Sequence, residues 1–318
     1  LALREARTAL FGESTRLIPI PKEIGHITRI TARGIHSPMS MAQPAASERA
    51  TLRIGVVGVG ARADIAKHFE LPRLNCRITA AADPHPDAEA RLPQRLGRSD
   101  IKLTRNVTEL IAEGIDAALV TSPDDTHAKV TCELLRAGIP VYVEKPLATR
   151  MDDAIEILRT AYETGTKLYV GHNMRHMHVV RSMRDLIRRG AIGEVKAIWC
   201  RHFVGNGGDY YFKDWHATRE HATGLLLQKA AHDLDVMHWL AGSHTEQVTA
   251  MGGLTLYDRI TDREDRSGQL LGDWFDMGNW PPLSQKGLNP VVDVEDISMM
   301  LMRMESGLFA SYQQCHYT

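Results

Sequence analysis

A short β-rich run, Leu52-Arg53-Ile54-Gly55-Val56-Val57-Gly58, leads straight into Gly58-Val59-Gly60-Ala61-Arg62-Ala63. A helical pattern with Ile65, His68, Phe69 and Leu71 follows. No other stretch restricts the fold as much. In a G-x-G-x-x-A turn the first glycine permits the tight bend and the second lets a pyrophosphate approach the backbone. The third small residue allows close helix–strand packing. Phosphates then sit at a helix N-terminus, where free N–H groups and the helix dipole favour anions. Glycine-rich turns are common, so context decides. A second strand, Arg77–Ala82, ends in Asp83, 25 residues after Gly58. A carboxylate there accepts from ribose hydroxyls and repels a 2′-phosphate, which favours NAD over NADP. The plainer reading is that Asp83 begins a turn before Pro84 and Pro86.

Strand and helix patterns keep alternating after Asp83. Asp116–Thr121 reads as a buried strand, Thr126–Ala137 as a helix stopped by Gly138, and Val141–Val143 as a strand. Asp152–Thr164 reads as a helix ending at Gly165, and Lys167–Val170 as a further strand. Such alternation predicts an α/β fold: a doubly wound parallel sheet with helices on both faces. Ligands of these sheets bind at the carboxyl ends of the strands, which directs attention to Thr121-Ser122-Pro123 and Glu144-Lys145-Pro146.

The chain has 318 residues, enough for about two domains at roughly 150 residues each. With 38 Lys+Arg against 39 Asp+Glu the net charge is −1. That is unlike a nucleic-acid binder, which needs a positive field. No apolar run approaches the ~20 residues that cross a bilayer. Cys76, Cys132, Cys200 and Cys315 form no C-x-x-C pair, so neither a disulfide framework nor a zinc site is expected, and no H-E-x-x-H occurs. A soluble protein of the reducing cytoplasm, with no metal, is the expectation. Residues 1–50 read as an extension, with six basic and three acidic residues up to Pro38 and a natural start at Met39 or Met41. At the other end Ile297–Met304 and Leu308–Gln314 read as strands around Glu305-Ser306-Gly307, after which an incomplete C-terminus is expected.

Glu144-Lys145-Pro146 after the fifth strand, followed by His232-Asp233-Leu234-Asp235 on a helix within Gly224–Gly242, resembles the Gfo/Idh/MocA oxidoreductase family. Ser122-Pro123-Asp124-Asp125-Thr126-His127 and Gly190-Ala191-Ile192-Gly193-Glu194-Val195 are further matches, over residues 52–318. The resemblance implies a Rossmann domain over 51–171. A substrate-binding and oligomerisation domain over 172–318, with a large, mostly antiparallel sheet, would follow. It also implies NAD(P)-dependent oxidation or reduction of a secondary alcohol on a sugar, inositol or related polyol, in a homodimer or homotetramer. Lys145 and His232 would be catalytic: the imidazole an acid/base with an ordinary pKa near ~6.5, the amine a stabiliser of alkoxide charge. Cofactor contacts would come from Gly58, Gly60, Ala61, Arg62, Ala63, Asp83, Thr121, Ser122, Pro123, His127, Glu144 and Lys145. Substrate contacts would come from Lys145, Arg175, His176, Gln228, Lys229 and His232.

One departure stands out. Many members of the family carry a carboxylate four residues before the histidine, where this chain has Gln228, followed by Lys229. A glutamine cannot offset an imidazolium, and a nearby Lys229 ammonium would oppose one further. His232 is therefore expected to stay neutral and to act as a base in the oxidative direction. The loop Gly205–His216 adds Tyr210 and Trp215 as flat surfaces for a sugar or, alternatively, for a subunit interface. Arg259–Val292 reads as a second irregular loop. An NAD-dependent glycosidase working by transient oxidation, and a non-catalytic cofactor-binding regulator, remain as alternatives.

Overall fold

Six apolar runs, too short to stand alone, become one sheet because helices cover both of its faces. A computed structural model describes residues 51–70, 74–269 and 271–318. The expected extension over 1–50, and Leu71, lie outside the described residues. Strands β1 (Leu52–Val57), β2 (Cys76–Ala82), β3 (Lys102–Thr104), β4 (Ala117–Val120), β5 (Val141–Val143) and β6 (Leu168–Val170) run parallel in the order β3-β2-β1-β4-β5-β6. On one face Ala63 and Ala66, from a 3-10 helix over Ala61–Phe69, and Leu92 and Leu96 of α1 (Ala88–Leu96) bury Ile54, Val56 and Ile78. On the other, α2 (Val107–Ala112), α3 (His127–Arg136) and α4 (Met151–Thr164) pack Leu110, Leu134, Leu135 and Ile157 against Val57, Val120 and Val143. The strand order reverses direction between β1 and β4, so a crevice opens at their carboxyl ends. The element after the glycine turn is helical as the pattern predicts, but of the tighter 3-10 kind.

The second half follows α5 (His178–Arg188). Its elements are β7 (Ala197–Phe203), two short helices α6 (Gly207–Tyr211) and α7 (Arg219–Ala222), the long α8 (Leu225–Ala241), then β8 (Thr245–Gly253), β9 (Ile297–Met304) and β10 (Phe309–Cys315). The sheet order is β7-β10-β9-β8, with β8–β9 and β9–β10 antiparallel and β10–β7 parallel. Alternation along β9 turns Met300, Met302 and Met304 onto Ala230 and Met237 of α8. Met299 and Leu301 point outward, where Trp199, Met251 and Phe309 join them in a broad exposed apolar face. Between β8 and β9 the chain has only short helical pieces, as expected of Arg259–Val292. Among the described residues no helix is long and apolar enough to cross a membrane.

Candidate active site

Gly58 takes φ +88°, and a Cβ there would stand 2.7 Å from the Ser122 backbone. Only glycine serves at that bend. At Gly60 a Cβ would meet nothing within 4 Å, so open space lies before its backbone. A closed first glycine and an open second one are what a pyrophosphate cradle requires, and the residues present fit a dinucleotide. Ala63, fully buried, gives the close helix–strand packing. Asp83, at the end of β2, accepts from the Val59 N–H at 2.7 Å and the His85 N–H at 2.8 Å, which fixes it beside the same loop. Arg62, on the other flank, reaches the buried Glu144 carboxylate at 3.0 Å, where Tyr142 also donates at 2.9 Å.

Across the crevice, the turn after β5 meets α8. The Lys145–Pro146 peptide is cis, and the Lys145 amine donates to the Gln228 main-chain carbonyl at 2.9 Å and to Gln228 Oε1. Gln228 Nε2 in turn donates to Asp124 Oδ2 at 2.6 Å. An ammonium has three N–H groups, so one remains for a ligand. Burial raises the Asp124 carboxyl pKa and lowers that of Lys145; the pair's mutual attraction opposes both shifts. His232 lies four residues beyond Gln228, on the same face of α8. Its pKa falls to about 4, through burial first, then Lys145, then Lys229. That direction agrees with the neutral imidazole expected from the sequence, but burial and Lys145 contribute more to it than Lys229 does. His232 Nδ1 and His172 Nδ1 are both enclosed and make no hydrogen bond, although Asp235 Oδ2 lies 3.9 Å from the latter. Among the described residues no group of three His, Cys, Asp or Glu could hold a metal ion.

Residues 52–172 match the pattern described as "Oxidoreductase family, NAD-binding Rossmann fold", and residues 180–318 match the "GFO/IDH/MocA C-terminal domain". The chain belongs to the Gfo/Idh/MocA family. The 2,7-anhydro-N-acetylneuraminate hydratase of Escherichia coli (strain K12) is 28% identical over 245 residues, covering 72% of this chain and 63% of that protein. An inositol 2-dehydrogenase of Rhizobium meliloti (strain 1021) is 28% identical over 217 residues, covering 68% of this chain and 62% of that one. The WlbA dehydrogenase from Bordetella pertussis, solved in complex with NADH and UDP-GlcNAcA, superposes with a TM-score of 0.66 at 21% identity. It covers 85% of this chain and 68% of that one. Matched stretches span only 33% to 63% of several curated relatives.

Within this Gfo/Idh/MocA chain, several residues stand elsewhere than the sequence led one to expect. His127 is fully buried, its Nδ1 2.8 Å from the Pro146 carbonyl and its Nε2 3.0 Å from that of Ser122. It ties the turn after β4 to the turn after β5 from behind, and does not face a cofactor. Thr121 likewise turns its hydroxyl to the carbonyls of Gly58 (2.9 Å) and Val57 (3.1 Å). Ser122 shares a hydrogen bond with Thr126 at 2.6 Å, beside Pro123. His176 is exposed and bonds Tyr169 at 2.9 Å, outside the group around Lys145. Arg175 is held by both oxygens of Asp235, so its charge is spent on anchoring the turn after β6 to α8. Tyr210 packs on Phe275 at 4.7 Å; its neighbour Tyr211, fixed by α6, is the ring that meets the site. Trp215 stacks at 3.7 Å on His216, which faces Asp124. Sequence reasoning missed Asp124 and His172. The first stood inside a quoted motif and the second directly after β6, so strand-end position was the available signal.

The sheet side of the site is a buried polar chain. Asp233 Oδ2 accepts from His202 Nδ1 at 2.7 Å and from the Tyr312 hydroxyl at 2.8 Å. Gln314 Nε2 donates to His316 Nε2 at 2.7 Å. His316 is fully buried, and burial pushes its pKa down to about 3. The unfolded chain binds that proton near pH 6.5 and the folded one does not, so stability is level above pH 7 and declines as pH falls from 6.5 towards 3. At pH 5 the loss from this group is about 2 kcal/mol. Urea unfolding of wild type and His316→Gln at pH 7.5 and pH 5 will show a smaller acid loss in the variant; equal losses would exclude His316 as the source.

Proposed function

We propose that the protein transfers a hydride between NAD and a secondary alcohol of a sugar, inositol or related polyol. What supports this most is the junction of Lys145 with α8, which brings an amine within electrostatic reach of an imidazole of low pKa, next to the Glu144 that Arg62 of the glycine turn holds. Bound NAD supplies the hydride acceptor at its nicotinamide ring. In this reading Gly58, Gly60 and Ala61 hold the pyrophosphate while Ala63 keeps the helix close behind them, Asp83 accepts from the adenosine ribose, and Glu144-Lys145, with the main chain of Ser122 and Pro123, borders the nicotinamide. Arg62 is paired with Glu144 rather than free for a 2′-phosphate, which favours NAD over NADP. The remaining N–H of Lys145 donates to the alcohol oxygen and stabilises alkoxide character as it develops. His232, unprotonated at neutral pH, takes up the hydroxyl proton during oxidation. Residues 51–171 bind the cofactor and 172–318 the substrate. The outward face of the second sheet, with Trp199 75% and Phe309 64% exposed, pairs copies of the chain. Four free cysteines suit a reducing cytoplasm.

The name inositol 2-dehydrogenase on one relative supports a polyol substrate. The name hydratase on another supports a second reading, in which oxidation is transient and a substrate bond is broken without net turnover of NAD. Absorbance of NADH across a panel of inositols, hexoses and their glycosides separates the two. Net NADH formation is the expected result. Product formation with no net NADH supports the second reading, and tight NADH binding without any turnover leaves a regulator and overturns both.

A further inference from the structure

The geometry points to a substrate that carries an anionic group, a carboxylate on the sugar or polyol, seated on the Lys229 amine. This rests on the dehydrogenase reading and adds the charge of the molecule it acts on. The other cations around the crevice are each held: Lys145 through Gln228 and Asp124, Arg62 by Glu144, and Arg175 by Asp235. Behind them Lys213 is paired with the buried Asp209. Lys229 is different. It is largely buried, lies 4.5 Å over the Tyr211 ring, and among the described residues is in no ion pair.

The charged and titratable groups facing Lys229 come from three directions. Lys145, Asp124 and Arg62 face it from the nucleotide half, Asp233 and His232 from its own helix, and His316, with His202 beyond it, from the sheet side. Neither carboxylate is available to it. Asp233 is taken by His202 and Tyr312, and Asp124 by Gln228. Lys229 therefore confronts a second ammonium with a ring as its nearest offset, while Asp233 and Asp124 favour its charge only from a distance and bond elsewhere. Burial, then Lys145, lowers its pKa to about 8. A ring face recovers part of an ammonium's lost hydration, whereas an anion between the two amines would lower the energy of both. A neutral polyol offers hydroxyls but no charge. A carboxylate on Lys229, beside Tyr211, would leave the carbinol of the same molecule to Lys145 and His232.

The test is calorimetric titration of the NADH-loaded full chain with D-glucuronate and D-galacturonate, each beside its neutral hexose. At least one acid should bind about tenfold or more tightly than its neutral partner, and Lys229→Met should erase that margin without weakening NADH binding. The proposal is overturned if no acid exceeds its neutral partner, silence from both members of every pair included, or if the margin survives in Lys229→Met. A base role for Lys229 would instead lower kcat equally for acidic and neutral substrates, and would overturn it too. Failure of the two ideas looks different. NADH formed from neutral polyols but not from acids keeps the dehydrogenase and removes the anion. Selective acid binding with no hydride transfer in either direction keeps the anion and removes the dehydrogenase.

Discussion

Lys145→Met will lower kcat/KM for alcohol oxidation by about three orders of magnitude while NADH binding changes by less than about threefold. The amine reaches from the nucleotide half to α8, and two of its N–H groups are already fixed by Gln228. Its remaining N–H is therefore aimed before substrate arrives. Loss of a single preorganised donor to a developing oxyanion costs about 10²–10³ in rate, and here a full charge is lost as well. Lys145→Arg should rescue little, because a planar guanidinium cannot repeat the compact contact with Gln228. A structural objection is foreseeable: removing the cation leaves Asp124 buried without its counter-charge, which destabilises by several kcal/mol unless the carboxyl takes up a proton. Adding Asp124→Asn to Lys145→Met should recover the urea midpoint and leave kcat/KM low. Retention of kcat/KM within tenfold in Lys145→Met would remove the amine from the chemistry.

That an amine and an imidazole would meet was legible because each belongs to a local pattern. Glu144-Lys145-Pro146 ends a strand whose neighbours alternate with helices, and His232 lies on a helix bounded by Gly224 and Gly242. The parallel sheet was legible for the same reason: its strands are apolar on both faces and its turns carry glycine. What lay beyond reach depends on direction rather than on composition. Tyr210 and Tyr211 are adjacent and chemically alike, and only the short helix α6 decides which ring turns to Lys229. His127 and His176 look like any polar strand-end residue until burial shows one locked between two carbonyls and the other facing solvent. Gln228 read as a lost carboxylate. The charge in fact arrives from Asp124, 104 residues earlier, and no spacing rule could connect the two.

Gly58→Ala and Gly60→Ala should separate stability from binding within one turn. At Gly58 the backbone lies at φ +88°, where a Cβ costs about 1–2 kcal/mol, and it would press on the Ser122 backbone at 2.7 Å. Backbone cannot rotate aside as a side chain can. The β1 and β4 turns must part, loosening the Thr121 hydroxyl from the carbonyls of Val57 and Gly58. Overpacking adds about 1–3 kcal/mol, so Gly58→Ala should lose about 2–5 kcal/mol in urea unfolding and bind NADH at least a hundredfold more weakly. At Gly60 the backbone is at φ −84° and ψ −168°, open to any residue, and a Cβ would meet nothing within 4 Å. Gly60→Ala should therefore unfold within about 0.5 kcal/mol of wild type, as substitutions free of packing or strain do. Its NADH affinity should nevertheless fall about tenfold or more, because the methyl group would occupy the space that the pyrophosphate needs against the backbone. If Gly60→Ala binds NADH as the wild type does, the cradle is not where the coenzyme lies, and Lys145 and His232 lose the reference point that makes them a reacting pair.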